Sequence, residues 1–126
     1  MGTTPSPTCK LCKTDPGTLS HELLLCPLNN NIGLNLISTI QTILPNITPE
    51  SLLRLELEGL ADHLHLPVCL LISVTLSCTW KERGSNARVQ PYSIRSKLEQ
   101  TINLLRTTRL AAASEDLEAL YDEMFQ

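Results

Sequence analysis

Aromatic side chains are nearly missing from this sequence, which has one Trp, two Tyr and one Phe in 126 residues. That scarcity excludes an aromatic core. With few Val as well, it argues against an all-β protein. Leucine and isoleucine supply the apolar content instead, and leucine favours helix. Charge is also sparse, at 18% of residues, and the net charge is −3. The chain as a whole is therefore not a polycation that binds nucleic acid by bulk charge. Long hydrophobic runs are lacking too. The longest, Val68 to Trp80, is too short to cross a bilayer and is diluted by Ser73, Thr75, Ser77 and Thr79, so it is expected to be a buried core element. No secretory leader is legible, because Met1 to Thr8 is polar and contains Pro. The expectation is an intracellular protein of nucleus or cytoplasm, not secreted and with no membrane partner.

Catalytic patterns are missing as well. The sequence has no Gly-rich phosphate loop, no Gly-x-Ser-x-Gly and no Asp-Asp pair for a two-metal centre. Glu115-Asp116 and Asp122-Glu123 read as helix-start and solvent-face charges. No enzymatic activity and no small-molecule substrate are expected.

What is present is a cluster of cysteines at one end. Cys9, Cys12 and Cys26 surround His21 in the spacing Cys-x2-Cys-x8-His-x4-Cys. Three thiolates and one imidazole complete a closed tetrahedral zinc site, a structural type with no position left for an activated water. The Asp15-Pro16-Gly17 turn reverses the chain between the two ligand pairs, and Thr18 is expected to cap a short helix to about Leu25, stopped by Pro27. Five residues separate His21 from Cys26, so the helix must tighten or unwind there. One structural Zn2+ is expected, held by Cys9, Cys12, His21 and Cys26, and it would supply much of the folding free energy of so small a unit. The alternative is a set of small buried cysteines and a surface histidine. Cys69 and Cys78 lie in the apolar run and are expected to fill core space. His63 and His65 are expected in a solvated loop.

Residues 1–8 read as a flexible lead-in, 9–27 as the Cys-Cys-His-Cys finger, and 28–126 as a helical bundle forming one compact unit with it. The predicted fold is all-α, with the small zinc knuckle packed on about four to five helices. Ile32, Leu36, Ile37, Ile40, Ile43 and Leu44 recur at helical spacing. Thr48-Pro49-Glu50 opens the next helix with a cap, Pro at its first position and an acid in its first turn. Asn46-Ile47-Thr48 also fits a glycosylation sequon, but Thr48 is better read as that cap. The run from Leu66-Pro67 to Arg83 is expected as a central buried helix with Trp80 in the core; its β-branched Ile72, Val74 and Thr75 leave a strand open. Pro91 begins a helix carrying Ile94, Leu98, Ile102 and Leu105. Ser114 is expected to cap a last one bearing Leu117, Leu120, Tyr121 and Met124.

The charge is unevenly spread. Lys81, Arg83, Arg88, Arg95, Lys97, Arg106 and Arg109 lie in a stretch whose only acids are Glu82 and Glu99. A local basic patch is therefore open where bulk charge is not, as is a pair of solvated helix faces of opposite sign.

The order Cys-x-x-Cys, Pro-Gly-Thr-Leu-x-His and Leu-Leu-Leu-Cys-Pro is carried by Cys9, Cys12, Pro16, Gly17, Thr18, Leu19, His21, Leu24, Leu25, Cys26 and Pro27. It resembles the Cys-Cys-His-Cys finger near the C-terminus of non-LTR (LINE-type) retrotransposon reverse transcriptase polyproteins. Leu53-Arg54-Leu55-Glu56, Trp80-Lys81-Glu82-Arg83 and Leu104 to Arg109 are similar to the helical tail that follows it. The resemblance implies a region that holds template RNA or target DNA, with the polymerase and endonuclease expected to be absent. On this reading Lys10, Lys13, Lys81, Arg83, Arg88 and Arg95 would contact an RNA or DNA backbone. Two alternatives stay open: a zinc-braced scaffold with a protein partner, and a non-functional element remnant.

Overall fold

The computed structural model describes residues 21–26, 31–84 and 90–125. They form a π-turn, His21–Leu25, and five α-helices: α1 Ile32–Gln41, α2 Pro49–Leu53, α3 Asp62–Gly84, α4 Pro91–Thr107 and α5 Ala111–Met124. No strand occurs among the described residues, so the apolar run is helix. The expectations for the lead-in, the Asp15-Pro16-Gly17 turn, the Thr18 cap and Pro27 fall outside the described residues.

Each helix buries the stripe that its periodicity requires. On α1 this is Ile32, Leu36, Ile37 and Ile40; on α4, Ile94, Leu98, Ile102 and Leu105; on α5, Leu117, Leu120, Tyr121 and Met124. Ile43 and Leu44 follow α1 in the loop and are half-buried. Helix α3 packs on α1, α4 and α5, and the stripes merge into one aliphatic core.

The ends follow local chemistry. Thr48 is extended (φ −112°, ψ 162°) and its Oγ1 accepts from the Ser51 N–H at 3.1 Å, as a cap should. Helix α2 closes in a Schellman turn: Glu56 N–H donates to Ser51 C=O at 2.9 Å and Leu55 takes a left-handed φ of 58°. Helix α4 ends the same way. Leu110 N–H donates to Leu105 C=O at 3.0 Å, with Arg109 at φ 69° in the position usually given to glycine.

Four expectations need correction. Helix α3 starts at Asp62, before Pro67, so His63 and His65 lie in its first turn and not in a loop. Pro67 is buried and removes only the bond to the carbonyl of His63, itself an exposed residue. Ser114 is not a cap: the reversal at Arg109 lets α5 begin at Ala111, and Ser114 is buried with its Oγ donating to Ala111 C=O at 2.7 Å. Trp80 is 59% exposed, because the buried face of α3 is Val68, Leu71, Ile72, Thr75 and Thr79. Cys69 and Cys78 are only half-buried beside the core.

The longer α3 also changes the length argument. Among the described residues, Asp62–Glu82 is long and apolar enough to cross a membrane by length and composition. In this fold α3 packs on α1, α4 and α5, and 33% of that apolar stretch is buried.

Candidate metal centre and basic cleft

His21 and Cys26 begin and end one wide turn. The Cys26 N–H donates to the His21 carbonyl at 2.7 Å, an i→i+5 bond. In an α-helix five residues advance about 500°, roughly 140° beyond a full turn, which would put the two side chains on different faces. The π-turn is wider and returns residue 26 to a place above residue 21. Both side chains are buried, His21 at 6% exposure and Cys26 at 2%. The five-residue step from His21 to Cys26 is thus taken up by one local change in helix type.

Leu24, inside the turn, anchors it in the core. Its backbone lies directly on Gly33 of α1: a Cβ at Gly33 would come within 2.0 Å of the Leu24 carbonyl oxygen. Only glycine allows that approach, and Gly33 is therefore the seat on which the turn rests. Asn31 precedes α1 in a left-handed conformation (φ 62°), which turns the chain into the helix.

One imidazole and one thiol, both buried at the two ends of this turn, are donor types that suit zinc. The other two expected ligands, Cys9 and Cys12, lie outside the described residues. Among the described residues no group of three or more His, Cys, Asp and Glu is placed to hold a metal ion. His63 is exposed, and His65 Nε2 hydrogen-bonds the Leu60 carbonyl at 3.2 Å, so that nitrogen carries the proton.

Compared with protein-family models, curated proteins and solved structures, the chain matches none. Its function must therefore be argued from its own residues.

The basic residues separate by location. Lys10, Lys13 and Arg88 lie outside the described residues, and Arg83 is placed by its backbone on the last turn of α3. Lys81 lines a cleft of about 480 Å³ between the C-terminal part of α3 and the start of α4. Ser77, Cys78, Glu82, Ser93 and Lys97 complete it. Lys97 belongs to the basic stretch of the sequence but not to the expected backbone contacts. The signal was available, because Ser93 and Lys97 flank the Ile94–Leu98 stripe on one side. Glu82 Oε2 accepts from the Gln90 N–H at 2.6 Å, which ties the end of α3 to the start of α4. Burial pushes the Cys78 thiol up, with Glu82 adding to the shift and Lys97 and Lys81 opposing it, so the thiol is neutral at pH 7. Among the described residues the cleft therefore holds two cations against one carboxylate.

Arg95 faces the other edge of α4. Its Nε donates to Tyr121 Oη at 3.3 Å, and its guanidinium sits 5.8 Å from the centre of the Phe125 ring. The Tyr121 hydroxyl in turn donates to Glu99 at 2.7 Å. Arg106 pairs with Glu118 across the same seam. Lys81 and Arg95, grouped together by the sequence, thus lie on opposite sides of α4.

Proposed function

We propose that this chain is a zinc-braced helical module that binds and positions a nucleic-acid backbone, related to the C-terminal region of retrotransposon reverse transcriptases and without catalysis of its own. The observation that supports the zinc part is the π-turn, which buries His21 and Cys26 at its two ends and rests on Gly33. Cys9 and Cys12 are assigned as the remaining thiolates. Four such ligands fill the coordination shell, so the ion is structural. The role of the ion is to hold the first knuckle, with Lys10 and Lys13, against the bundle.

The nucleic-acid part rests on the C-terminal end of α3, where Lys81 lines the cleft together with Lys97 of α4. Lysine and arginine contacts to phosphate position a strand and carry no sequence information. Binding is therefore expected to weaken steeply with salt. The second reading, a protein-binding scaffold, draws on the exposed Leu55, Leu104 and Leu110. Salt separates the two: an apolar contact through leucines is insensitive to moderate salt.

Zinc quantification on wild type and Cys12→Ser, paired with RNA and DNA binding over a salt series, tests the proposal. About one Zn2+ per chain, lost in Cys12→Ser, is expected from one closed site. Full metal retention in Cys12→Ser overturns the ligand set, and salt-independent affinity overturns the backbone contact. Gly33→Ala gives a further check from inside the bundle. The clash with the Leu24 carbonyl is expected to cost about 2 kcal/mol, in the usual range for overpacking, and to weaken zinc retention. An unchanged melting temperature and metal content would show that the turn does not rest on Gly33.

A further inference from the structure

Apolar residues occur on every side of α3, and the bundle covers only part of them. Of its apolar stretch 33% is buried. The buried face is Val68, Leu71, Ile72, Thr75 and Thr79. Half a turn away, Leu66, Leu70, Ser73, Ser77 and Trp80 follow one another at steps of four, three, four and three. Those steps keep them on one side of the helix. Leu66 is 43% exposed and Trp80 59% exposed, and Leu70 between them is half-buried. Ser73 and Ser77 are exposed. Large apolar side chains thus stand at both ends of the stripe and small ones towards its middle. Small side chains let a second helix come close, and large ones fill the space beside it.

The stripe matches itself when reversed. Ser73 is the midpoint of α3, which runs from Asp62 to Gly84. A second copy turned end for end about Ser73 lays Leu66 over Trp80, Leu70 over Ser77, and Ser73 over Ser73. The same patch then serves both partners, as a two-fold contact requires. The charges match in the same arrangement. Asp62 opens the helix, while Lys81 and, by its backbone position, Arg83 lie at its end. Glu82, the acid at that end, already accepts from the Gln90 N–H. Asp62 makes no ion pair among the described residues. End-for-end pairing puts position 62 of one copy opposite position 84 of the other, one residue from Arg83. Parallel pairing would instead set acid against acid and base against base.

We propose that this face of α3 is a contact for a second copy of the chain. Two copies pair antiparallel through Leu66, Leu70, Ser73, Ser77 and Trp80, and Asp62 of each meets Arg83 of the other. The 23 residues of α3 span about 34 Å. One helix face of that length buries less than the roughly 800 Å² per partner of a standard interface, so the dimer is a weak one, of micromolar order. The pairing does not depend on bound nucleic acid.

Sedimentation equilibrium of the full chain, purified with zinc and kept reduced, measures the association. Trp80, the only tryptophan, reports it independently. A monomer–dimer equilibrium is expected, with a blue shift of Trp80 emission as concentration rises. Trp80→Ala is expected to weaken the dimer at least about tenfold, as for an aromatic anchor at an interface. Leu66→Ser should do the same with the fluorophore still in place. Asp62→Lys and Arg83→Glu, each alone, set like charges against each other at both ends of the contact. Each is expected to stay monomeric where half of the wild type is dimer. Mixed in equal amounts the two should associate again, because the mixed dimer has opposite charges at both ends. Unchanged far-UV and thermal profiles confirm that the variants fold. A wild type that stays monomeric up to about 1 mM, where association is worth only about 4 kcal/mol, overturns the proposal, and binding of that monomer to phosphatidylcholine vesicles would give the face to a lipid surface. A dimer as tight in Trp80→Ala and Leu66→Ser as in wild type places the contact elsewhere and overturns it too. Loss of the dimer in both apolar variants, with no recovery in the charge mixture, overturns the antiparallel pairing.

Discussion

The two edges of α4 use the same residue types for different purposes. On the α5 edge, Arg95 engages Tyr121 and Phe125, Tyr121 engages Glu99, and Arg106 engages Glu118. Charge on that edge is matched within the protein and joins two helices. On the α3 edge, Lys81 and Lys97 face a cleft with serine hydroxyls and a neutral thiol. Charge there is offered outward. Arg95 and Lys97 are two positions apart, about 200° around the helix. A count of basic residues along the chain thus overstates the surface available to a nucleic acid, because it adds together both edges.

The largest effect should fall on both edges at once. Leu98 is fully buried between them, on the stripe with Ile94 and Ile102. Leu98→Ala is expected to cost about 3 kcal/mol, the usual result of removing a core leucine and leaving a cavity. Chemical denaturation measures this directly. A loss below about 1 kcal/mol would mean that α4 is not held to the core by this stripe.

The next comparison separates the edges. Arg95→Ala is expected to lower the melting temperature, by less than Leu98→Ala, and to leave nucleic-acid affinity near wild type. Lys97→Ala is expected to do the reverse. The two variants are read side by side in thermal melts and in a binding titration at low salt. If Arg95→Ala weakens binding as much as Lys97→Ala at unchanged stability, the division of labour fails and the arginine belongs to the binding face.

A gain is expected where α4 ends. Arg109 adopts a left-handed backbone that costs an L-residue about 1 kcal/mol relative to glycine. Arg109→Gly should therefore stabilise by about that amount. The same reasoning applies to Leu55 at the end of α2. Denaturant midpoints check both, and a destabilised Arg109→Gly would show that this side chain contributes contacts worth more than the strain.

Much of this architecture was readable from periodicity. Ile94, Leu98, Ile102 and Leu105 mark one face at helical spacing, and all four are buried. Thr48-Pro49-Glu50 was readable as a cap because each residue does a separate local job. The apolar run was harder. When apolar residues occur all around a helix, the pattern does not tell which face the neighbours cover, and so Trp80 was assigned to the core although it lies outside. Pro67 gave a false start for the same helix because a proline in the second turn sacrifices only one bond. At the proposed zinc site the irregular His21–Cys26 step was legible as a problem. The π-turn that solves it, and the Gly33 seat beneath it, depend on the packing of Leu24 against a helix further along the chain. The cleft, likewise, exists only once α3 and α4 are paired, and spacing within either helix cannot show it.

The smallest effect concerns protons on the α5 edge. Burial raises the Tyr121 hydroxyl above its ordinary value, and the hydrogen bond to Glu99 raises it further, while Arg95 pulls it down. The folded protein thus holds this proton more tightly than the unfolded chain does. The resulting stabilisation is complete below the unfolded tyrosine value of about 10 and is lost as pH rises through the higher folded value. Stability of the wild type should fall in that alkaline window, and Tyr121→Phe should fall less steeply because it has no proton to lose there. Lys97→Ala, on the other edge, should keep the wild-type slope. Denaturant melts across the alkaline range separate the three. Equal slopes for wild type and Tyr121→Phe would place the alkaline sensitivity elsewhere and remove Tyr121 as the group whose proton helps join α4 to α5.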